Sequence, residues 1–176
     1  MNNTTGVVRK IDDLGRIVIP KEIRKILRIK NNEPLEISVN DEQIILKKYS
    51  TMKDYLYIIK SIIKSLSFSF ESNILITDRD VVIDCSKELK TKYLNKIITK
   101  DIEKQIIDRK VLIENVQKKI EIIDKEAEFC SYIISPIIAN GDIVGSIILI
   151  SGTPLKKEDE KIVSLLTNFL SGYIEE

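Results

Sequence analysis

The sequence predicts two folded units. Residues 1–50 read as a β-β-short helix-β-β module too small to stand alone, and residues 51–176 as an α+β module with an antiparallel sheet between amphipathic helices. Three observations lead there. Charge is segregated: residues 1–50 carry ten Lys or Arg and seven Asp or Glu, whereas residues 51–176 carry eighteen and twenty, although the whole chain is only +1. The first fifty residues are short β-branched runs cut by turn residues, with no cysteine and no metal-ligand cluster to staple so small a core. The remainder brackets its strongest hairpin signal between two helical apolar stripes.

In the first module, residues 4–10 read as a strand, Asp12-Asp13-Leu14-Gly15 as a turn, and Arg16–Ile19 as a second strand. Pro20 suits the first position of a helix, where its missing amide hydrogen costs least, and Glu22 lies near the positive end of the helix dipole. The helix Lys21–Leu27 is expected to turn Ile23, Ile26 and Leu27 to one side and Lys21, Arg24, Lys25 and Arg28 to the other. Residues 30–34 break the chain. Leu35–Val39 alternates, residues 40–42 turn, and Ile44–Leu46 returns. A unit of this size is expected to pair with a second copy, which would place two sets of cations on one assembly.

Those cations are dense. Residues 1–30 hold Arg9, Lys10, Arg16, Lys21, Arg24, Lys25, Arg28 and Lys30 against only Asp12, Asp13 and Glu22, the signature of a polyanion-binding face. The run Thr5-Gly6-Val7-Val8-Arg9-Lys10-Ile11-Asp12-Asp13-Leu14-Gly15-Arg16-Ile17-Val18-Ile19-Pro20-Lys21-Glu22-Ile23-Arg24, continued through Ile44-Ile45-Leu46-Lys47-Lys48-Tyr49, resembles the AbrB-like DNA-binding domain of bacterial transition-state regulators. That resemblance implies a swapped-hairpin β-barrel dimer whose arginines face duplex DNA. By position it implicates Arg9, Arg16 and Arg24, with Lys25 where an arginine is often found; Lys10 and Arg28 complete the expected DNA-binding set. Lysine keeps the charge but loses the bidentate fork, so Lys25 is expected to act on phosphate rather than on a base edge. Asp12 and Asp13 read as turn caps rather than metal ligands.

In the second module, Thr51-Met52-Lys53-Asp54 has capping-box spacing, and Met52, Tyr55, Leu56, Ile59, Ile62, Ile63 and Leu66 follow with helical period. Ile74–Thr77 and Val81–Ile83 suggest a hairpin about Asp78-Arg79-Asp80, and the density of Asp78, Asp80 and Asp84 reads as solvation of its tip rather than a cation site. Leu89–Lys96 and Ile98–Arg109 are expected to be helical, Val111–Glu114 and Ile120–Ile123 to be strands. Tyr132–Ala139, Asn140-Gly141 and Ile143–Ile150 form a hairpin with a turn suited to type I′. Thr153 and Pro154 are expected to open a last helix striped by Ile162, Leu165, Leu166, Phe169, Leu170 and Tyr173. The segment Ser131–Ser151 resembles the central hairpin of a GAF domain. Two striped helices beside one sheet either pack on their own domain or form an intermolecular bundle, and the bundle is favoured on the ground that one sheet face cannot easily cover both.

With no histidine, no Gly-rich phosphate loop and no nucleophile-base pair, the expectation is no enzyme, no catalytic residue, no cofactor and no metal. Cys85 and Cys130 give no disulfide framework. No apolar run approaches the roughly 18 residues of a membrane span, and no leader pattern opens the chain, so the expected place is the cytoplasm, in association with the nucleoid. Taken over the whole chain, the resemblance implies a DNA-binding regulator of sporulation gene expression with a GAF-like sensor and assembly domain. It would act as a homodimer, or a homotetramer through its C-terminal helices, and an unknown small-molecule effector is allowed. Two alternatives stay open: an antitoxin-type AbrB-like repressor, and a ligand-signalling module whose head only oligomerises.

Overall fold

The computed structural model describes residues 6–31, 33–68 and 70–176, and the chain separates into two units, Met1–Tyr49 and Ser50–Glu176.

In the first unit Pro20, its φ at −55°, caps helix α1 (Lys21–Ile26), one position earlier than the sequence suggests. The helix ends in a two-bond stop: the Ile29 amide donates to the Arg24 carbonyl at 2.8 Å and the Arg28 amide to the Lys25 carbonyl at 3.2 Å. Arg28 takes the left-handed conformation, φ 54°, that glycine usually supplies at that position. Strands β1 (Leu35–Asn40) and β2 (Gln43–Lys48) pair antiparallel, Ile37 opposite Leu46 and Val39 opposite Ile44. The Glu33 side chain, 4% exposed, fixes the base of this hairpin by binding the Lys30 amide at 2.7 Å and the Lys48 ammonium at 3.0 Å.

The two N-terminal strands expected from the sequence are not formed. Residues 4 and 5 lie outside the described residues, and residues 6–20 carry no strand. A β-branched run becomes a strand only against a partner ladder. Here, among the described residues, the one backbone bond linking the two flanks of the turn runs from the Asp12 amide to the Arg16 carbonyl, 3.1 Å. Among the described residues of this unit no hydrophobic one is buried, and Val8, Leu14, Val18, Ile26, Ile37, Val39 and Ile44 are each at least two-thirds exposed.

The second unit is a five-stranded antiparallel sheet of order β4-β3-β7-β6-β5, made of β3 (Asn73–Thr77), β4 (Val82–Cys85), β5 (Leu112–Ile123), β6 (Glu126–Ala139) and β7 (Asp142–Ser151). Asn140 and Gly141 both take positive φ, 51° and 78°, and close β6 onto β7 as a type I′ turn requires. At Gly145 a Cβ would collide with the Thr77 carbonyl of β3, so the residue must be glycine for β3 and β7 to approach. Helices α3 (Leu56–Leu66) and α6 (Lys157–Glu175) cover one face, burying Ile59, Ile63, Val163, Leu166, Leu170 and Ile174 against Ile76, Ile133, Ile137, Ile147 and Leu149. The other face packs Tyr93, Ile102 and Ile106, from α4 (Lys90–Tyr93) and α5 (Lys100–Ile107), on Leu75, Ile122, Ile134 and Ile148.

Five expectations need correction here. Thr51–Leu66 is two helices, α2 (Thr51–Asp54) and α3, parted at Tyr55; Ser50 rather than Thr51 stands at the cap, and its hydroxyl binds Asp78 at 2.9 Å. The helix expected over Leu89–Lys96 shortens to a 3₁₀ turn (Lys87–Leu89) and α4, because residues 95–99 instead bond to both sheet edges: Val82 N–H to Lys96 O and Thr99 N–H to Ile122 O, 2.9 Å each. The two strands placed at 111–114 and 120–123 are one edge strand, β5, irregular between Glu114 and Lys118; its charged residues read as a break, yet an edge strand tolerates them. Helix α6 starts at Lys157 rather than Thr153, since Asp159, 3% exposed, accepts the Lys156 amide at 2.7 Å. Lastly, one sheet face covers α3 and a stripe of α6 made by Val163, Leu166, Leu170 and Ile174. Leu165, Phe169 and Tyr173 of the expected stripe stay exposed, so one face holds both helices but not the whole of the apolar surface read from the sequence.

Candidate nucleic-acid interface

The six expected DNA-binding residues sit at three places in the first unit. Arg9 and Lys10 precede the Asp12–Gly15 turn, Arg16 leaves it, and Arg24, Lys25 and Arg28 lie on or just past α1. Five of them are exposed; Arg24 is half-buried. Helix α1 also turns differently from its periodicity: Ile23 and Arg24 face inward while Ile26 is 77% exposed. The Arg24 Nε is buried with no hydrogen-bond partner, an arrangement that costs stability.

Arg16 is held in place. Asp12 Oδ1 accepts the Leu14 amide at 3.1 Å and the Arg16 amide at 2.8 Å, while Oδ2 takes Arg16 Nε at 2.7 Å. Gly15, φ 74°, lets the turn close, its amide donating to the Asp12 carbonyl at 2.9 Å. These bonds, led by those from the Arg16 amide and side chain, hold the Asp12 carboxyl below its ordinary pKa. Sequence reasoning read Asp12 as a cap and missed its grip on the arginine. The Asp-x-x-Gly-Arg spacing was the available signal.

In the second unit two polar groupings stand out. Tyr93, fully buried, donates its hydroxyl to Glu128 at 2.8 Å, and Lys92 reaches Glu128 at 2.9 Å and Glu126 at 3.0 Å. Burial, then the bond to Glu128, pushes the Tyr93 pKa far upward; the bond from Lys92, then that from Tyr93, draws Glu128 down. Asp78 and Asp84 do not solvate a hairpin tip. Asp78, 7% exposed, accepts the Asp80 and Val81 amides at 2.8 and 2.7 Å, and Asp84, 2% exposed, pairs with Lys90 at 3.1 Å. Burial raises both thiols, Cys85 and Cys130, to about 11, so they stay protonated and unreactive at neutral pH. Among the described residues no cluster of three His, Cys, Asp or Glu side chains suits a metal ion, and no helix is long and apolar enough to cross a membrane.

The arrangement defines a class: an AbrB-like head joined to a GAF-like module. Known proteins agree. Residues 56–175 match the family described as stage V sporulation protein T C-terminal, transcription factor, and residues 8–54 match that described as antidote-toxin recognition MazE, bacterial antitoxin. Stage V sporulation protein T of Bacillus subtilis is 40% identical over 175 residues, 98% of each chain. The transition state regulatory protein AbrB of the same organism is 61% identical over 46 residues, 26% of this chain and 48% of its own. Three solved structures share the fold of the second unit at 10–13% identity: a free methionine-R-sulfoxide reductase of Thermoplasma acidophilum (71% of this chain, 95% of that one, TM-score 0.55), the cyanobacteriochrome receptor PixJ (72% and 99%, 0.52), and a GAF domain/HD domain protein of Geobacter sulfurreducens (72% and 93%, 0.51). The chain belongs to the stage V sporulation protein T family of transcription factors, and membership makes it a regulator of sporulation transcription.

Proposed function

We propose that residues 1–50 form a DNA-binding and dimerisation domain in which two copies pair, interleave their hairpins, and grip duplex DNA through Arg9, Lys10, Arg16, Arg24, Lys25 and Arg28. Residues 51–176 then serve as sensor and assembly domain. The observation that carries this reading is the first unit's lack of any buried hydrophobic residue among those described: its most exposed valines, isoleucines and leucines would find cover in a second copy. Pairing would give residues 6–20 the ladder they lack and double the number of phosphates neutralised.

Assembly beyond the dimer has its own support. On α6, Leu165, Phe169 and Tyr173 stay 68%, 44% and 41% exposed beside the buried stripe, and Tyr173 meets Tyr55 edge-on with ring centres 5.6 Å apart. A tetramer built on this strip would carry two paired heads, and linkage raises the effective concentration of the second head on DNA. An effector that altered that assembly would alter DNA affinity. The reading needs no chemistry at a catalytic centre and places the protein on the nucleoid in the cytoplasm. The antitoxin alternative fits less well: residues 51–176 are a folded α+β module rather than a short toxin-binding tail.

A gel-shift titration of the full chain on duplex DNA, with and without Arg16→Ala, tests the proposal. Affinity should fall steeply with salt, and the variant's log-log slope should be shallower by about 0.9 for each phosphate that a bound subunit no longer neutralises. Identical curves for both proteins would favour the reading in which the head only oligomerises.

A further inference from the structure

The Asp12 carboxylate stands in the middle of a cationic segment, four residues from a proposed DNA-contacting arginine. On charge alone it opposes binding, because an acid near phosphate repels it. Its bonds give it another role. Oδ1 ties down two amides of the turn and Oδ2 takes only Nε of Arg16, and the Asp12 amide closes the loop on the Arg16 carbonyl. A guanidinium has five N–H donors in a rigid plane, so one bond at Nε leaves the outer edge, made by the two terminal nitrogens, free to take a phosphate or a base edge in bidentate fashion. The Arg16 side chain is 72% exposed, so that edge is open to a ligand. Freezing a long flexible side chain before binding removes an entropy penalty that would otherwise fall on the complex.

We infer that Asp12 is a positioning residue for DNA binding: its carboxylate clamps Arg16 through Nε and presents the outer guanidinium edge to the duplex. The inference rests on the reading of Arg16 as a DNA contact, and the test separates the two. Asp12→Asn is the informative variant. Its remaining carbonyl oxygen still accepts the turn amides, but the amide nitrogen that replaces Oδ2 cannot accept from Nε.

Full-length wild type, Asp12→Asn, Arg16→Ala and the double variant are titrated by fluorescence anisotropy on a labelled duplex enriched from random sequence by the wild-type protein. Thermal melts check that each head still folds. Although Asp12→Asn removes a repelling charge, it should weaken binding roughly two- to tenfold per subunit, the cost of ordering one rotamer-rich side chain. In the Arg16→Ala background the same change should have no effect or tighten binding slightly. A tightening on the wild-type background overturns the inference, as does an equal weakening in both backgrounds, which would mean that Asp12 serves the turn alone. If Arg16→Ala binds like wild type, the DNA-contact reading itself fails, whatever Asp12 does.

Discussion

The head and the GAF-like module solve the problem of an apolar core in opposite ways. The module buries some thirty hydrophobic side chains between two helical layers and a five-stranded sheet, while the head buries none among its described residues. One is a finished domain within a single chain; the other leaves its apolar side chains open to a partner. On the proposed reading the head completes its core in a second copy, and two substitutions test that contrast. Ile37→Asp changes a side chain that is 69% exposed in the single chain, a place where substitutions are usually worth within about 0.5 kcal/mol. If two heads pair over that hairpin, the change instead buries an unpaired carboxylate at a cost of several kcal/mol, and DNA affinity should fall at least about a hundredfold. Leu170→Ala, at a fully buried position on α6, should cost about 2–5 kcal/mol in denaturant unfolding at any protein concentration. An Ile37→Asp protein that bound DNA normally would erase the distinction.

A smaller effect separates the two units by pH. The module holds protonated groups that the unfolded chain would release: the Tyr93, Cys85 and Cys130 pKa values are raised chiefly by burial, that of Lys92 by its bonds to Glu128 and then Glu126. A raised folded-state pKa contributes stability below the unfolded value, lost as pH climbs through the folded one, so the module should weaken progressively from about pH 8.5 upward. On the acid side Glu128, drawn below its ordinary value of 4.5, contributes stability at neutral pH that disappears as pH falls through the lowered value. Tyr93→Phe removes one group from the alkaline loss. It should make the stability-pH curve less steep above about pH 10 while costing about 1–2 kcal/mol near neutrality, since Glu128 keeps Lys92 but loses a donor. Urea melts from neutral to strongly alkaline pH measure both.

What could be read from the sequence follows the same divide. Elements fixed by neighbours a few residues away were legible: the Asn140-Gly141 hairpin, the β1-β2 pair, the apolar stripe of α3. For α6 the helix was legible but its buried side was not, since Val163 and Ile174 turn inward while Leu165, Phe169 and Tyr173 face out. Elements fixed from far along the chain were not. Asp159 begins α6 where it does by taking the Ser72 hydroxyl, 2.8 Å, as well as the Lys156 amide, and nothing near Thr153 announces that. The long β5 hides because its outer edge is free to carry lysines and glutamates. Residues 6–20 have strand-like side chains, but no strand forms where the described residues supply no partner ladder. At the candidate site the cations were legible as a composition, whereas the inward turn of Arg24 and the clamp on Arg16 depend on packing and hydrogen bonds that charge counting does not see.

The least change expected comes from a turn. Gly141, φ 78°, closes the β6-β7 hairpin, and a Cβ there would meet no atom within 4 Å, so Gly141→Ala isolates backbone strain from packing. Left-handed backbone disfavours an L side chain by roughly 1–2 kcal/mol, and the variant should lose about that much stability with DNA binding unchanged. The head accepts the same strain at Arg28, φ 54°, where glycine would be the easier residue after a helix. The module carries the same conformation at Arg109, φ 56°, and Lys125, φ 66°, so a cation at such a position does not by itself mark a DNA-facing surface. A Gly141→Ala protein as stable as wild type would mean that such turns are cheap in this chain, at Arg28, Arg109 and Lys125 as well.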